Sequence, residues 1–219
     1  MSSSALRSRL RSRILGQFGH PSGALGALAG VVMARRDSNR RRNAWTVQLL
    51  DLQPGDHVLE IGYGPGLAIR HAARLVPHGQ VVGIDHAQVM QRQARRRNRR
   101  AVASGQVHLL RGSAADLAGE PATFHKALAV NVFGFWPDPV AVLRQVAEVL
   151  LPGARIALTT QPRGCGVTNE HTRQAGERMA AALHDAGFTG IQVRTLPLKP
   201  VDAAAALGVW PSPPPGQGQ

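Results

Sequence analysis

The stretch Val58-Leu59-Glu60-Ile61-Gly62-Tyr63-Gly64-Pro65-Gly66 constrains this chain more than any other. Val58, Leu59 and Ile61 are the apolar run of a buried strand. The turn signal Gln53-Pro54-Gly55-Asp56 precedes it, and three glycines at alternate positions follow. Without a Cβ, Gly62, Gly64 and Gly66 let the backbone turn tightly and approach a bound molecule closely. The segment from Leu67 to Leu75 reads as a helix whose N-terminus faces that turn.

Spacing separates three kinds of glycine-rich loop. The dinucleotide fingerprint G-x-G-x-x-G needs a glycine where Leu67 stands, and a phosphate loop needs Gly-Lys-Ser/Thr, which is absent. Glu60-x-Gly62-x-Gly64-x-Gly66 instead resembles motif I of the class I S-adenosylmethionine-dependent methyltransferases, of the small bacterial type. The approach Leu52-x-Pro54-Gly55-Asp56-x-Val58-Leu59-Glu60 is similar as well, and the resemblance covers roughly residues 43 to 200. It implies S-adenosylmethionine as cofactor, a nucleoside with an amino-acid tail and no phosphate.

A ribose-binding acid is expected at the end of the next strand, roughly 20 residues on. Gln80 to Ile84 is that strand and Asp85 closes it, where a carboxylate can accept both vicinal ribose hydroxyls or cap the following helix. After a third strand, Val107 to Leu110, the chain reads Arg111-Gly112-Ser113-Ala114-Ala115-Asp116. The family often has Gly-Asp-Ala here, reading the adenine edge with the acid and the next amide, so Ser113 replaces the usual acid, and Asp116 either takes over its contact or does not. A fourth strand, Lys126 to Val130, delivers Asn131 to the crevice outside the carboxyl ends of the strands. The cofactor set implied by the resemblance is Glu60, Gly62, Tyr63, Gly64, Gly66, Asp85, His86, Ser113, Ala114 and Asn131.

The loop after Asn131 lacks the Asn/Asp-Pro-Pro-Tyr arrangement with which amino-methylating nucleic-acid enzymes hold their target nitrogen. In its place stand Phe133, Phe135 and Trp136, in a chain with only 4% aromatic residues, either as a substrate wall or as plain core. His20, within Gly19-His20-Pro21-Ser22-Gly23, and His171 are the candidate catalytic bases if the acceptor must be deprotonated, because an imidazole titrates near neutral pH. Both also fit surface or structural roles.

The formal charge of +13 is uneven: residues 1 to 100 hold 17 Arg against 5 acids, the remainder 9 Arg plus Lys against 8. Such a field could attract RNA, an anionic membrane or an acidic substrate. However, 24 of the 26 basic residues are Arg, as a GC-rich genome would write them, and Arg95-Arg96-Arg97-Asn98-Arg99-Arg100 has no interleaved aromatics for stacking. A nucleic-acid partner is therefore disfavoured. The single cysteine, Cys165, excludes an intramolecular disulfide and a cysteine-cluster metal site.

Residues 1 to 36 carry no acid, and the apolar Gly23 to Ala34 falls short of the ~20 residues needed to span a bilayer. No transmembrane segment is expected, and the location is expected to be cytoplasmic. Trp45, Leu49 and Leu52 define one face of a helix over Asn43 to Leu52. Further helices are expected over Gln88 to Ala103, over Val140 to Leu151 with Pro152-Gly153 as its stop, and over Asn169 to Ala186 with Gly187 as its cap. Strands are expected over Arg155 to Thr160, Ile191 to Leu196 and Ala203 to Val209.

Strands alternating with helices predict an α/β, doubly wound sheet with helices on both faces. The family resemblance implies seven strands, the last antiparallel, as a Rossmann-like domain over residues 51 to 210. Residues 1 to 50 would form a helical cap or lid with Arg35 to Arg42 outside at the hinge, and residues 211 to 219 a disordered tail. The implied activity is in-line methyl transfer to a small-molecule acceptor, driven by alignment and exclusion of water. Two alternatives stay open: an RNA-binding or non-catalytic S-adenosylmethionine-binding protein, and a nicotinamide oxidoreductase, against which Leu67 speaks.

Overall fold

The computed structural model describes residues 37–212. Its elements in order are α1 (Asp37–Leu49), β1 (His57–Ile61), α2 (Leu67–Leu75), β2 (Gln80–Asp85), α3 (Gln88–Arg97), α4 (Arg99–Ala103), β3 (Val107–Arg111), β4 (Phe124–Val130), α5 (Pro139–Glu148), β5 (Leu150–Thr160), α6 (Asn169–Asp185), β6 (Thr189–Leu196) and β7 (Ala203–Val209). Short 3-10 turns occupy Ala114–Leu117 and Phe133–Phe135.

One seven-stranded sheet runs β3-β2-β1-β4-β5-β7-β6. The first five strands are mutually parallel, and β7 lies antiparallel between β5 and β6. The chain reverses its winding direction between β1 and β4. That is the switch point at which a ligand crevice opens beyond the carboxyl ends of the strands.

Alternation along each strand distributes side chains to two cores. Leu59 and Ile61 of β1 join Ala127, Ala129, Ile156 and Leu158 beneath α5 and α6. Val58 joins Leu128, Val130 and Ala157 on the opposite face, beneath α1 and α2. Glu60, in phase with Val58, therefore points to the α1/α2 side. The edge strands β3 and β6 carry mostly exposed or half-exposed side chains, while β1 and β7 are largely buried, as their central positions demand.

Three expectations about element boundaries and faces are corrected, and a fourth, about Arg42, follows below. The helix expected over Gln88 to Ala103 breaks at Asn98, whose buried Nδ2 donates to Gly66 O at 3.1 Å and Ala94 O at 2.9 Å. Pro152-Gly153 does not terminate a helix: α5 ends at Glu148, and the pair lies within β5, where Gly153 takes φ +80 and its amide donates to Trp210 O at 2.8 Å. The first helix begins at Asp37 and turns a different face inward from that of Trp45, Leu49 and Leu52, which are only half-buried.

The inward stripe of α1 is Asn39, Arg42, Asn43, Thr46 and Val47, continued by Leu50 just past its end. It follows helical spacing but is largely polar, and it is tolerable because nearly all its polar groups find partners, Arg42 Nε being the exception. Asn43 Nδ2 donates to Asn39 O at 2.7 Å, and the Thr46 hydroxyl meets that of Thr159 on β5 at 2.8 Å. Arg42, expected on the outside, is 1% exposed.

Candidate active site

The glycine turn is left-handed at each of its glycines, with φ +71 at Gly62, +50 at Gly64 and +76 at Gly66. Two of them are pressed by protein. A Cβ on Gly62 would stand 2.4 Å from Val132 Cγ1, and one on Gly66 would stand 2.7 Å from Asn98 Nδ2. A Cβ on Gly64 would meet nothing within 4 Å, so that position faces open space at the mouth of the crevice.

Gly66 is the N-cap of α2 and has no side chain with which to cap it. Glu60 takes that part, its carboxyl accepting the Ile69 amide in the first turn, where the helix end also favours negative charge. Glu60 is 1% exposed and its Oε2 has no hydrogen-bond partner. Burial pushes its pKa well above the usual carboxylate range, and the nearby Asp85 adds to the rise against the Ile69 bond.

Asp85 closes β2 as expected. Its Oδ2 accepts the Gly64 amide at 2.8 Å and its Oδ1 the Ala87 amide at 2.9 Å. Each oxygen keeps a second lone pair, so the carboxylate serves the turn and can still receive two hydroxyls. His86, next in the chain, is exposed. Tyr63 is 2% exposed and donates its hydroxyl to Leu110 O at 3.0 Å, while its ring fills the space above Gly83. What Tyr63 offers the crevice is its backbone.

At the end of β3, Ser113 is exposed and Ala114 buried. Asp116 folds back so that its Oδ2 accepts the Ser113 amide at 2.7 Å and the Ser113 hydroxyl at 3.0 Å, which lowers its pKa. The carboxylate missing from position 113 thus reappears beside it through a tight turn. Asn131 follows β4 at φ +59, a conformation in which asparagine is better tolerated than most residues. Its Oδ1 accepts the Gln161 amide at 2.8 Å, linking the ends of β4 and β5.

Phe133 and Trp136 pack against each other at 5.7 Å and lean on the core, whereas Phe135 is 56% exposed. His171 stands in the first turn of α6, its Nδ1 taken up by the Thr168 cap. His20 and the segment Gly23 to Ala34 lie outside the described residues. Among the described residues there is no cluster suited to a metal ion and no helix long and apolar enough to cross a membrane. The residues brought together are therefore Glu60, Gly64, Asp85, the Ser113–Asp116 turn and Asn131. Sequence reading missed Asn98, Thr159, Gln161 and Arg42, polar residues whose burial leaves no trace in a hydropathy pattern.

A family model for a methyltransferase domain matches residues 58–153. An uncharacterized methyltransferase, YdaC of Bacillus subtilis, is 30% identical over 185 residues, covering 84% of this chain and 99% of that protein. A ubiquinone biosynthesis O-methyltransferase of Xanthomonas campestris is 36% identical over 111 residues, 50% of this chain and 45% of that protein. Among solved structures, the phosphoethanolamine N-methyltransferase 2 of Haemonchus contortus in complex with S-adenosyl-L-methionine shares the fold at TM-score 0.63 and 16% identity, over 78% of this chain and 53% of that one.

The chain belongs to the class I S-adenosylmethionine-dependent methyltransferases. It is an enzyme whose methyl donor is S-adenosylmethionine, and the residues present fit that donor. The space over Gly64 is open, Asp85 retains acceptor capacity, and Glu60 Oε2 is a buried acceptor without a partner.

Proposed function

We propose that this methyltransferase acts on a small-molecule acceptor seated over the carboxyl ends of β4 and β5. The observation that carries this reading is the exposed ring of Phe135, presented four residues after Asn131 where the crevice opens. An apolar surface of this kind binds a compact organic acceptor and excludes water from it. The names of relatives agree: one is a ubiquinone biosynthesis O-methyltransferase and another a demethylmenaquinone methyltransferase.

In this reading Asp85 holds the ribose hydroxyls, the Ser113–Ala114 turn meets the adenine edge, and the glycine turn lets the donor's amino-acid tail approach the backbone. When bound, the donor supplies an activated sulfonium methyl. The chain's own part is to align the acceptor and keep water out, and a protein base is not required. Residues 1 to 50 supply the cover in this proposal, with α1 as its anchored end and His20 carried on the part beyond the described residues.

Incubating the protein with isotopically labelled donor and a metabolite extract, followed by mass spectrometry, tests it. Label should appear in a compound of low molecular mass. Label found only in RNA would replace this reading with the nucleic-acid one.

A further inference from the structure

The polar stripe of α1 holds a charge that donor binding does not use. Arg42 is 1% exposed. Its Nη1 donates to Gln161 Oε1 at 2.5 Å and its Nη2 to Asn39 Oδ1, both neutral acceptors, while Nε has no partner. Burial, with repulsion from Arg163, pulls its pKa down to about 9. A guanidinium removed from water is normally compensated by a carboxylate. Around this one, α1 contributes Asn39 and the end of β5 contributes Gln161, while Arg163 repels it, and among the described residues no carboxylate forms an ion pair with it.

The charge is also held firmly, and at an informative place. Gln161 Nε2 donates to Val201 O at 2.8 Å and Lys199 O at 3.3 Å, which fixes Oε1 toward Arg42. The Gln161 backbone amide donates to Asn131 Oδ1, so Arg42 is bonded to the residue that follows β5, itself joined to the residue that follows β4. Arg163, two residues beyond Gln161, is exposed on the loop that leaves β5. It is near enough to Arg42 for the two charges to repel.

Resting on the small-molecule reading above, we propose that Arg42 and Arg163 form an anion subsite of the acceptor pocket and that the acceptor carries a carboxylate. Neutral side chains position the guanidinium, and its counter-charge arrives with the substrate. The free Nε–H, with a neighbouring Nη, is the fork that matches a carboxylate. Phe135 offers a ring for the apolar body of the same molecule. Cationic acceptors are repelled by the same two groups.

The test is calorimetry on the full chain saturated with S-adenosylhomocysteine, using benzoate and the neutral, similarly shaped benzamide as probes. Benzoate should bind about tenfold or more tightly than benzamide, the ratio that a hydrogen bond to a charged group supplies. Arg163→Gln should lower that ratio. Asn39→Asp, which sets a carboxylate against Arg42 at unchanged side-chain size, should raise the melting temperature and abolish the preference. Two results would overturn the subsite: no benzoate preference with S-adenosylhomocysteine binding intact, or a preference that survives Asn39→Asp, which would make Arg42 a structural strut. Wild-type protein that fails to bind S-adenosylhomocysteine would overturn this inference together with the methyl-transfer reading beneath it.

Discussion

Asp85 reaches from the end of β2 to the middle of the glycine turn, its Oδ2 2.8 Å from the amide of Gly64. The residue that closes one strand thereby sets the shape of the loop that closes the other. Asp85→Ala should weaken S-adenosylmethionine binding by about 1.5–3 kcal/mol, the range for hydrogen bonds to a charged group. The buried Ala87 amide also loses its acceptor, so melting should fall by roughly 2–4 °C per kcal/mol lost. Calorimetry and a thermal melt read the two effects separately. Unchanged affinity would remove Asp85 from the donor site.

The glycines of the turn should respond differently to substitution. Gly64→Val puts side-chain atoms into space the protein leaves open, at φ +50, where a β-branched residue is strained by about 1–2 kcal/mol or more. A folded variant that no longer binds the donor is the expected result. Gly62→Ala collides with Val132 instead, so it should cost stability, and part of that cost should return in the double variant with Val132→Ala. Thermal melts with and without donor distinguish the two cases.

Glu60 gives the fold a pH dependence of definite sign. Its folded pKa lies well above the reference value of 4.5, so the neutral form is the one the fold prefers. The stability it contributes is complete below that reference value and is lost as pH rises through the raised folded value. Glu60→Gln should flatten the decline, so the variant gains on the wild type as pH increases from 4.5 toward neutrality. Melting temperatures across that window check it, and parallel curves for the two proteins would refute it.

Removing residues 1 to 36 should leave a folded domain that binds donor but transfers methyl groups slower by orders of magnitude. Removing residues 1 to 42 should also lower the melting temperature, because Asn39 and Arg42 go with it and Gln161 Oε1 loses the donor it faces. A truncation beginning at Asp37 that retains full activity would place the acceptor's cover elsewhere, with the loop around the exposed Cys165 the next candidate.

Much of the proposed donor site was legible because it is local. The glycine turn, Asp85 and the Ser113–Asp116 turn each lie within a few residues of a strand whose apolar run announces it. The capping of α2 by Glu60 is nearly as local, yet it depends on Glu60 sharing the face of Val58, which requires knowing which face carries α2. Arg42 was not legible at all. Apolar periodicity pointed to Trp45, Leu49 and Leu52, while the stripe that enters the protein is held by hydrogen bonds to Thr159 and Gln161, more than 110 residues away in sequence. The break at Asn98 escaped for a similar reason: its side chain is recruited by Gly66, 32 residues earlier.

The position of β7 has a consequence for how the chain comes into being. Its residues, Ala203–Val209, are synthesised after every other strand, yet they fill the gap between β5 and β6. Until they emerge from the ribosome, the apolar flank of β5 is an unpaired edge, open to pairing with another chain. The small alanine side chains at 203 to 206, all fully buried, suit a strand that must slide into a slot whose walls are already standing. A nascent chain stalled before residue 203 should therefore be a client for chaperones, and the insertion of β7 should mark the moment at which the sheet becomes independent of them.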